Sequence, residues 1–268
     1  MMMMNRLFSL ALSSLLLLPA ATACGGTTRP EQGHQTAQQR GNGEQDAASL
    51  AVPQCCQEYH AGDFVPDSVV EERGANYFFT VSEIDDDVFA RMRGRSYKAD
   101  CPVPREELRY LMCLHRDAKG KCWIGEMVVN KAIADDVLDI LRQLFDARYP
   151  IERMRLIDEY DADDEKSMRH NNTSSFNYRP VAGTTKLSAH ARGLAIDINP
   201  RYNPYYKERD GHRVVQPANG KAYLNREASF PYKLEKGDLC YRLFTEHGFT
   251  WGGNWRTVKD YQHFEINK

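Results

Sequence analysis

Histidine, aspartate and glycine crowd together in the stretch Ser188-Ala189-His190-Ala191-Arg192-Gly193-Leu194-Ala195-Ile196-Asp197-Ile198-Asn199. Past Gly193 the apolar Leu194, Ile196 and Ile198 alternate with Ala195 and Asp197, the period-two pattern of a strand with two unlike faces. Asp197 is then turned away from the apolar face. Gly193 permits a sharp bend, which lets His190 fold back to the side of Asp197. A second cluster, Asp260-Tyr261-Gln262-His263-Phe264-Glu265-Ile266, sets His263 in alternation with Phe264 and Ile266 as on a strand. Two imidazoles and one carboxylate form a metal-ligand set that leaves a coordination position for water, as in a catalytic rather than a structural zinc site. Asp260 adds a carboxylate able to take a proton from that water. Positions three apart on a regular strand face opposite ways, so Asp260 is expected in the turn ahead of the strand that carries His263.

The order and spacing Ser188-x-His190-x-x-Gly193-x-Ala195-x-Asp197, followed by Asp260-x-x-His263, resembles the zinc peptidases of bacterial cell walls. These are the D-alanyl-D-alanine carboxypeptidases and dipeptidases and the L-alanyl-D-glutamate endopeptidases. The resemblance extends to Asn171-Asn172-Thr173, Phe176-Asn177-Tyr178-Arg179, Asn199-Pro200, Asn203-Pro204 and Trp251-Gly252-Gly253-Asn254-Trp255, and covers residues 85–268. It implies an α+β fold of the hedgehog and D-Ala-D-Ala peptidase kind, a small central antiparallel sheet with flanking helices and a zinc site at the sheet face. It also implies Zn2+ held by His190, Asp197 and His263, with Asp260 as the proton acceptor. Arg179 would steady the charge growing on the scissile carbonyl oxygen, a role suited to a permanently charged guanidinium. Ser188 would bind substrate or hold the site. Taken alone, Arg179 reads as a surface salt bridge and Ser188 as a turn serine. The implied substrate is the peptide part of peptidoglycan. The Asp-x-x-His ending, with the Asn-Pro and Trp-Gly-Gly segments, looks closer to the endopeptidase branch, and carboxypeptidase action stays open. The same ligand set serves non-haem iron oxygenases, for which a different spacing and a reducing compartment are expected. A reading from another class is a non-catalytic, metal-containing lipoprotein that binds the wall; its mark would be a missing base or ligand, and none is missing.

The elements that must position these groups occupy only part of the chain. Its 268 residues, 42% of them hydrophobic, suffice for one sizeable core. A formal net charge of −2 gives no basic footprint, which excludes nucleic acid as a partner, and a monomer is expected. Arg6 precedes an apolar run over residues 7–18, too short to span a bilayer, so residues 1–23 read as a cleaved export signal. Ala21-Thr22-Ala23-Cys24-Gly25 resembles a bacterial lipoprotein processing site, with Cys24 as the lipidated residue and ordinary signal cleavage as the alternative. Residues 24–50 hold Gly, Gln, Thr, Ala and charge with almost nothing to bury, a tether whose ends lie roughly 25 to 30 Å apart. The protein is therefore expected in the periplasm or cell envelope, touching the membrane only through that lipid. Beyond Cys24 the six cysteines Cys55, Cys56, Cys101, Cys113, Cys122 and Cys240 are compatible with three disulfides, with Cys113 and Cys122 the first pair to expect across a turn. Cys240 fits a buried thiol on an apolar helix face.

Residues 51–84 read as an N-terminal extension with a strand-like Tyr77-Phe78-Phe79-Thr80-Val81 and no assigned job, ahead of a peptidase domain over 85–268. Within that domain the patterns predict a short helix at 88–92 and paired strands at 108–113 and 122–129 around Lys119-Gly120. Asn130 is expected to cap a helix whose Val137, Leu138, Leu141, Leu144 and Phe145 face one way. A strand at 154–157, a solvated acidic loop at 158–165 and a long polar loop at 167–187 are expected to follow. Residues 200–231 read as a loop over the cleft, with tyrosines that could contact glycan or peptide. A helix over 238–247 ends at Gly248, with His247 as a helix-end residue. His34, His60, His115, His170 and His212 sit in polar surroundings, and His170 is the only substitute ligand among them.

Overall fold

The computed structural model describes residues 53–181 and 184–268; the export signal, Cys24 and the tether lie outside them. In chain order the elements are α1 (Gln54–Glu58), α2 (Asp67–Arg73), β1 (Thr80–Ser82), α3 (Asp86–Met92), β2 (Leu108–Arg116), β3 (Cys122–Asn130), α4 (Ala134–Asp146), β4 (Arg153–Met154), α5 (Asp164–Arg169), β5 (Asn172–Thr173), β6 (Ala195–Asp197), β7 (Tyr205–Arg209), β8 (His212–Gln216), α6 (Leu239–Glu246), β9 (Thr250–Trp251), β10 (Lys259–Asp260) and β11 (His263–Glu265). Helices and small antiparallel sheets are interspersed, an α+β arrangement. The sheets run β1-β2-β3, β10-β7-β8 and β6-β11-β9, with one parallel pair, β4-β5.

The longest ladder is the β2–β3 hairpin, in register from Leu108 opposite Asn130 to Arg116 opposite Cys122. Asp117 closes it, its Oδ1 accepting from the amides of Lys119 at 2.8 Å and Lys121 at 3.0 Å. Side chains alternate across the sheet, so Leu111, Cys113, Met127 and Val129 enter one core while Tyr110, Met112, Leu114 and Val128 enter another. The first core also takes Val137, Ile140, Leu141 and Leu144 from α4 and Cys240, Leu243 and Phe244 from α6. The second is covered by Val65 and Phe78, from the segment with no job in the sequence, together with Val88 and Met92 of α3, on the far face of the sheet.

Most predicted elements are present with longer or shifted bounds. Asn130 caps as expected, its Oδ1 accepting from Ala132 N at 3.0 Å, although the turn it opens is a 3-10 helix that runs into α4. The strand near Tyr77 begins only at Thr80, after a 3-10 turn over Ala75–Phe78. The strand expected at 154–157 reduces to β4, and Ile157–Tyr160 is a 3-10 turn. The acidic segment after it is no solvated loop. Asp158 is buried, accepting from the amide and hydroxyl of Ser96 at 3.0 and 2.9 Å, and Asp163 caps α5. The polar stretch at 167–187 is interior in its first half, where Asn171, Asn172, Thr173, Ser175 and Asn177 are all buried, and its described residues are at the surface from about Tyr178 on. Their amides replace the ladder that an irregular segment lacks. Residues 200–231 contain the β7–β8 hairpin and a 3-10 turn over Ala218–Tyr223 where a loop was expected.

The cysteine pairing is overturned. All six described cysteines are free, and Cys113 and Cys122 lie in the two different cores, on opposite faces of the sheet. Cys240 is the buried thiol expected of it. His115 is likewise interior: its Nδ1 meets Ile151 O at 2.8 Å, and burial pushes the imidazole down to about 4.

Candidate metal centre

Strand β6 carries Leu194, Ile196 and Ile198 into the core beside Phe264 and Ile266 of the β11 segment, which turns Asp197 and His263 to the other side. In the antiparallel β6–β11 pair Asp197 and His263 stand directly opposite each other. His190 reaches them from a 3-10 turn over His190–Arg192 that ends in Gly193, at φ 67°. A side chain at Gly193 would lie 2.6 Å from Asn130 N, so both the conformation and the space require glycine. Ser188 starts this turn, its Oγ accepting from Ala191 N at 3.1 Å, which is the turn role considered for it.

The donor atoms form a small triangle. His190 Nε2 lies 3.2 Å from His263 Nδ1 and 3.4 Å from Asp197 Oδ1, and His263 Nδ1 lies 3.0 Å from Asp197 Oδ1. The far nitrogens fix the tautomers. His190 Nδ1 donates to Ser175 O at 2.7 Å and His263 Nε2 donates to Glu265 Oε2 at 3.3 Å. Each inner nitrogen therefore presents a lone pair, and so does Asp197. Three lone pairs converging in a buried space repel one another unless a cation stands between them. Ligands about 2.0 to 2.1 Å from a tetrahedral zinc lie about 3.3 Å apart, the size of this triangle. These residues thus fit a metal ion, and among the described residues they are the one His/Cys/Asp/Glu cluster able to hold one. A proton can take the ion's place in this triangle, and a bound metal would displace it. Burial works against charge on both groups, yet the two histidines hold Asp197 well below the usual carboxylate range, and Asp197 and Glu265 push His263 up to about 10.

Asp260 is not in a turn. It sits in the two-residue β10, paired with β7 opposite Tyr205, and so belongs to a different sheet from His263. The expected turn is replaced by a short strand of a neighbouring sheet. Gly252 packs against it, and a Cβ there would come within 2.7 Å of Asp260 O. Asp260 Oδ1 is buried without a hydrogen-bond partner, and burial pushes the carboxyl up to about 6 against the pull of His263. A raised carboxyl with one free oxygen beside a metal cradle is suited to accepting a proton near neutral pH.

All these groups line one cleft of about 500 Å3, together with Arg179, Ser188, Tyr205 and Trp255. Arg179 is ion-paired with Asp164 at the cleft wall, so the surface salt bridge and a place at the site are both present. His170 is exposed, bonded to Lys166 O, and outside the cluster. His247 ends α6, with Nδ1 on Leu243 O at 2.8 Å. Glu265 and Ser175 were missed as supports. Glu265 was legible in principle, since it stands two residues after His263 on a strand and so shares its face. Ser175 acts through its backbone carbonyl, which no residue type announces.

Residues 182–266 match the family model described as D-alanyl-D-alanine carboxypeptidase. The matched stretch contains His190, Asp197, Asp260 and His263 and begins just past Arg179. It supports a hydrolase of the peptidase class, and the four residues that fall within it line the cleft. Searches of curated proteins and of solved structures gave no match.

Proposed function

We propose that the cleft is the active site of a zinc-dependent peptidase acting on the stem peptides of peptidoglycan, at the L-Ala-D-Glu bond within the stem or the D-Ala-D-Ala bond at its end. The observation that carries this reading is the convergence of the ligand atoms of His190, Asp197 and His263 beside a carboxyl with one unpartnered oxygen. Zinc between those side chains supplies Lewis-acid chemistry and makes water easier to deprotonate. Asp260 accepts the proton from the attacking water and returns it to the amine that leaves. Arg179 donates to the scissile carbonyl oxygen as charge grows there, which requires it to share or release Asp164. Ser175 and Glu265 keep the two imidazoles in their working tautomers. The family likeness, limited to residues 182–266, supports the peptidase class. The hedgehog-like fold relationship, the export signal, lipidation of Cys24 and a working place in the cell envelope belong to the same proposal.

Incubation of purified protein with peptidoglycan tests it. Peptide fragments are expected, none after treatment with a chelator, and recovery on adding zinc. Intact peptidoglycan throughout would leave the wall-binding reading. Mass spectrometry of the digest separates loss of a terminal D-Ala from cleavage after L-Ala.

A further inference from the structure

The β7–β8 hairpin walls the cleft without contributing to the ligand triangle or to proton transfer. Its register sets Tyr205 opposite Gln216 and Lys207 opposite Val214. Alternation puts these two cross-strand pairs on one face, and all four side chains line the cleft. On the alternate positions the charges are already matched, with Glu208 bonded to Tyr206 and to Arg213.

Within the cleft most charges are also engaged. Asp164 pairs with Arg179, Glu165 accepts from Ala218 N at 2.8 Å, and Glu265 accepts from His263. Lys207 lines the same space, and its side chain has no hydrogen bond or ion pair among the described residues. Apolar exposure points to the same place. Three large apolar side chains are exposed among the described residues, and two of them, Val181 at 40% and Val214 at 46%, line this cleft. An unmatched cation beside exposed aliphatic surface suits a ligand that is both apolar and anionic.

The hairpin also has a defined side. Tyr205 pairs with Asp260, the group that hands a proton to the leaving amine, and Lys207 follows two residues on, about 7 Å along the strand. The leaving amine belongs to the residue after the scissile bond.

We infer that Lys207 selects a free carboxylate on the substrate residue that follows the scissile bond, with Tyr205 and Val214 holding that residue's aliphatic part. This rests on the peptidase reading and assigns the residue that reads the free carboxylate, which D-Glu and a terminal D-Ala both carry.

The test uses two synthetic stem-type peptides, alike except that the residue after the scissile bond carries a free carboxylate or a carboxamide. Cleavage is followed in the zinc-loaded protein and its Lys207→Ala and Lys207→Glu variants, and binding by calorimetry with turnover blocked by Asp260→Ala. The acid peptide should bind about fivefold more tightly, roughly 1 kcal/mol at 1.4 kcal/mol per factor of ten. The same preference should lie in KM and leave kcat unchanged. Lys207→Ala should erase it and Lys207→Glu reverse it, with zinc content and melting temperature unmoved. Equal binding of the two peptides, or an acid preference that survives Lys207→Ala, overturns the inference, even where both peptides are cleaved. A preference lost in Lys207→Ala, without cleavage of either peptide, sustains carboxylate recognition and defeats the peptidase reading.

Discussion

Two clusters of buried charge flank the β1-β2-β3 sheet, and they differ in one respect. On the N-terminal face the fully buried Glu126 receives Arg91 at 2.8 and 2.5 Å, the Tyr110 hydroxyl at 2.8 Å and Leu156 N at 3.3 Å. That carboxylate is complete. Across the core, His190, Asp197 and His263 turn acceptors toward one another, and Asp260 keeps an oxygen with no donor. Burial and ionisable residues are common to both, so neither marks function by itself. Incompleteness does: a cluster whose donors and acceptors balance has nothing left to bind, and one with surplus acceptors calls for a cation and a proton.

Substitutions sharpen this contrast. Asp260→Ala should lower peptide release by about 10²- to 10⁴-fold, the usual yield of general acid–base catalysis, while metal analysis shows the ion retained. Loss of metal from that variant would make Asp260 a ligand and redraw the triangle. On the closed side, Arg91→Ala strands a buried carboxylate and should cost about 3 kcal/mol of stability, toward the lower end for a broken buried pair because the guanidinium is partly exposed. A melting curve reads that loss, and activity per folded molecule should not change. A fall in activity without loss of stability would show that the closed cluster communicates with the cleft. The smallest effect is expected for Glu265→Ala, which frees the outer nitrogen of His263. Metal affinity should drop about 10- to 100-fold in competition with a chelator, with partial recovery in Glu265→Gln.

Each half of the open cluster was legible in the sequence because its geometry is local, and the joining of His263 to Asp197, 66 positions apart, rested on the order and spacing of the two-part motif. Alternation about Asp197 and a glycine after His190 state which way each side chain points. The partners of those residues were less visible. Asp260 reaches the site through pairing of β10 with β7, a contact between segments more than fifty positions apart, and the hairpin itself hides among polar and aromatic residues of no clean period. The polar run at 167–187 looked like a surface loop because composition reports polarity and not satisfaction. Asn172 shows the difference: its side chain accepts from Arg155 N at 2.9 Å and donates to Arg155 O at 3.0 Å, taking the place of a strand neighbour in the interior. The expected Cys113–Cys122 bond failed for a related reason, since an even count of thiols says nothing about which face of a sheet each one takes.

Pinning β11 between β6 and β9 has a further consequence. A slip of one position would swing Phe264 into the cleft and His263 into the core, so the hydrophobic interior already enforces the alignment that the ion needs. The cradle is assembled by the fold and not by its occupant. Under the proposed function, stripping and returning the metal should therefore leave the chain folded, with exchange among divalent ions set by supply and affinity and separate from folding.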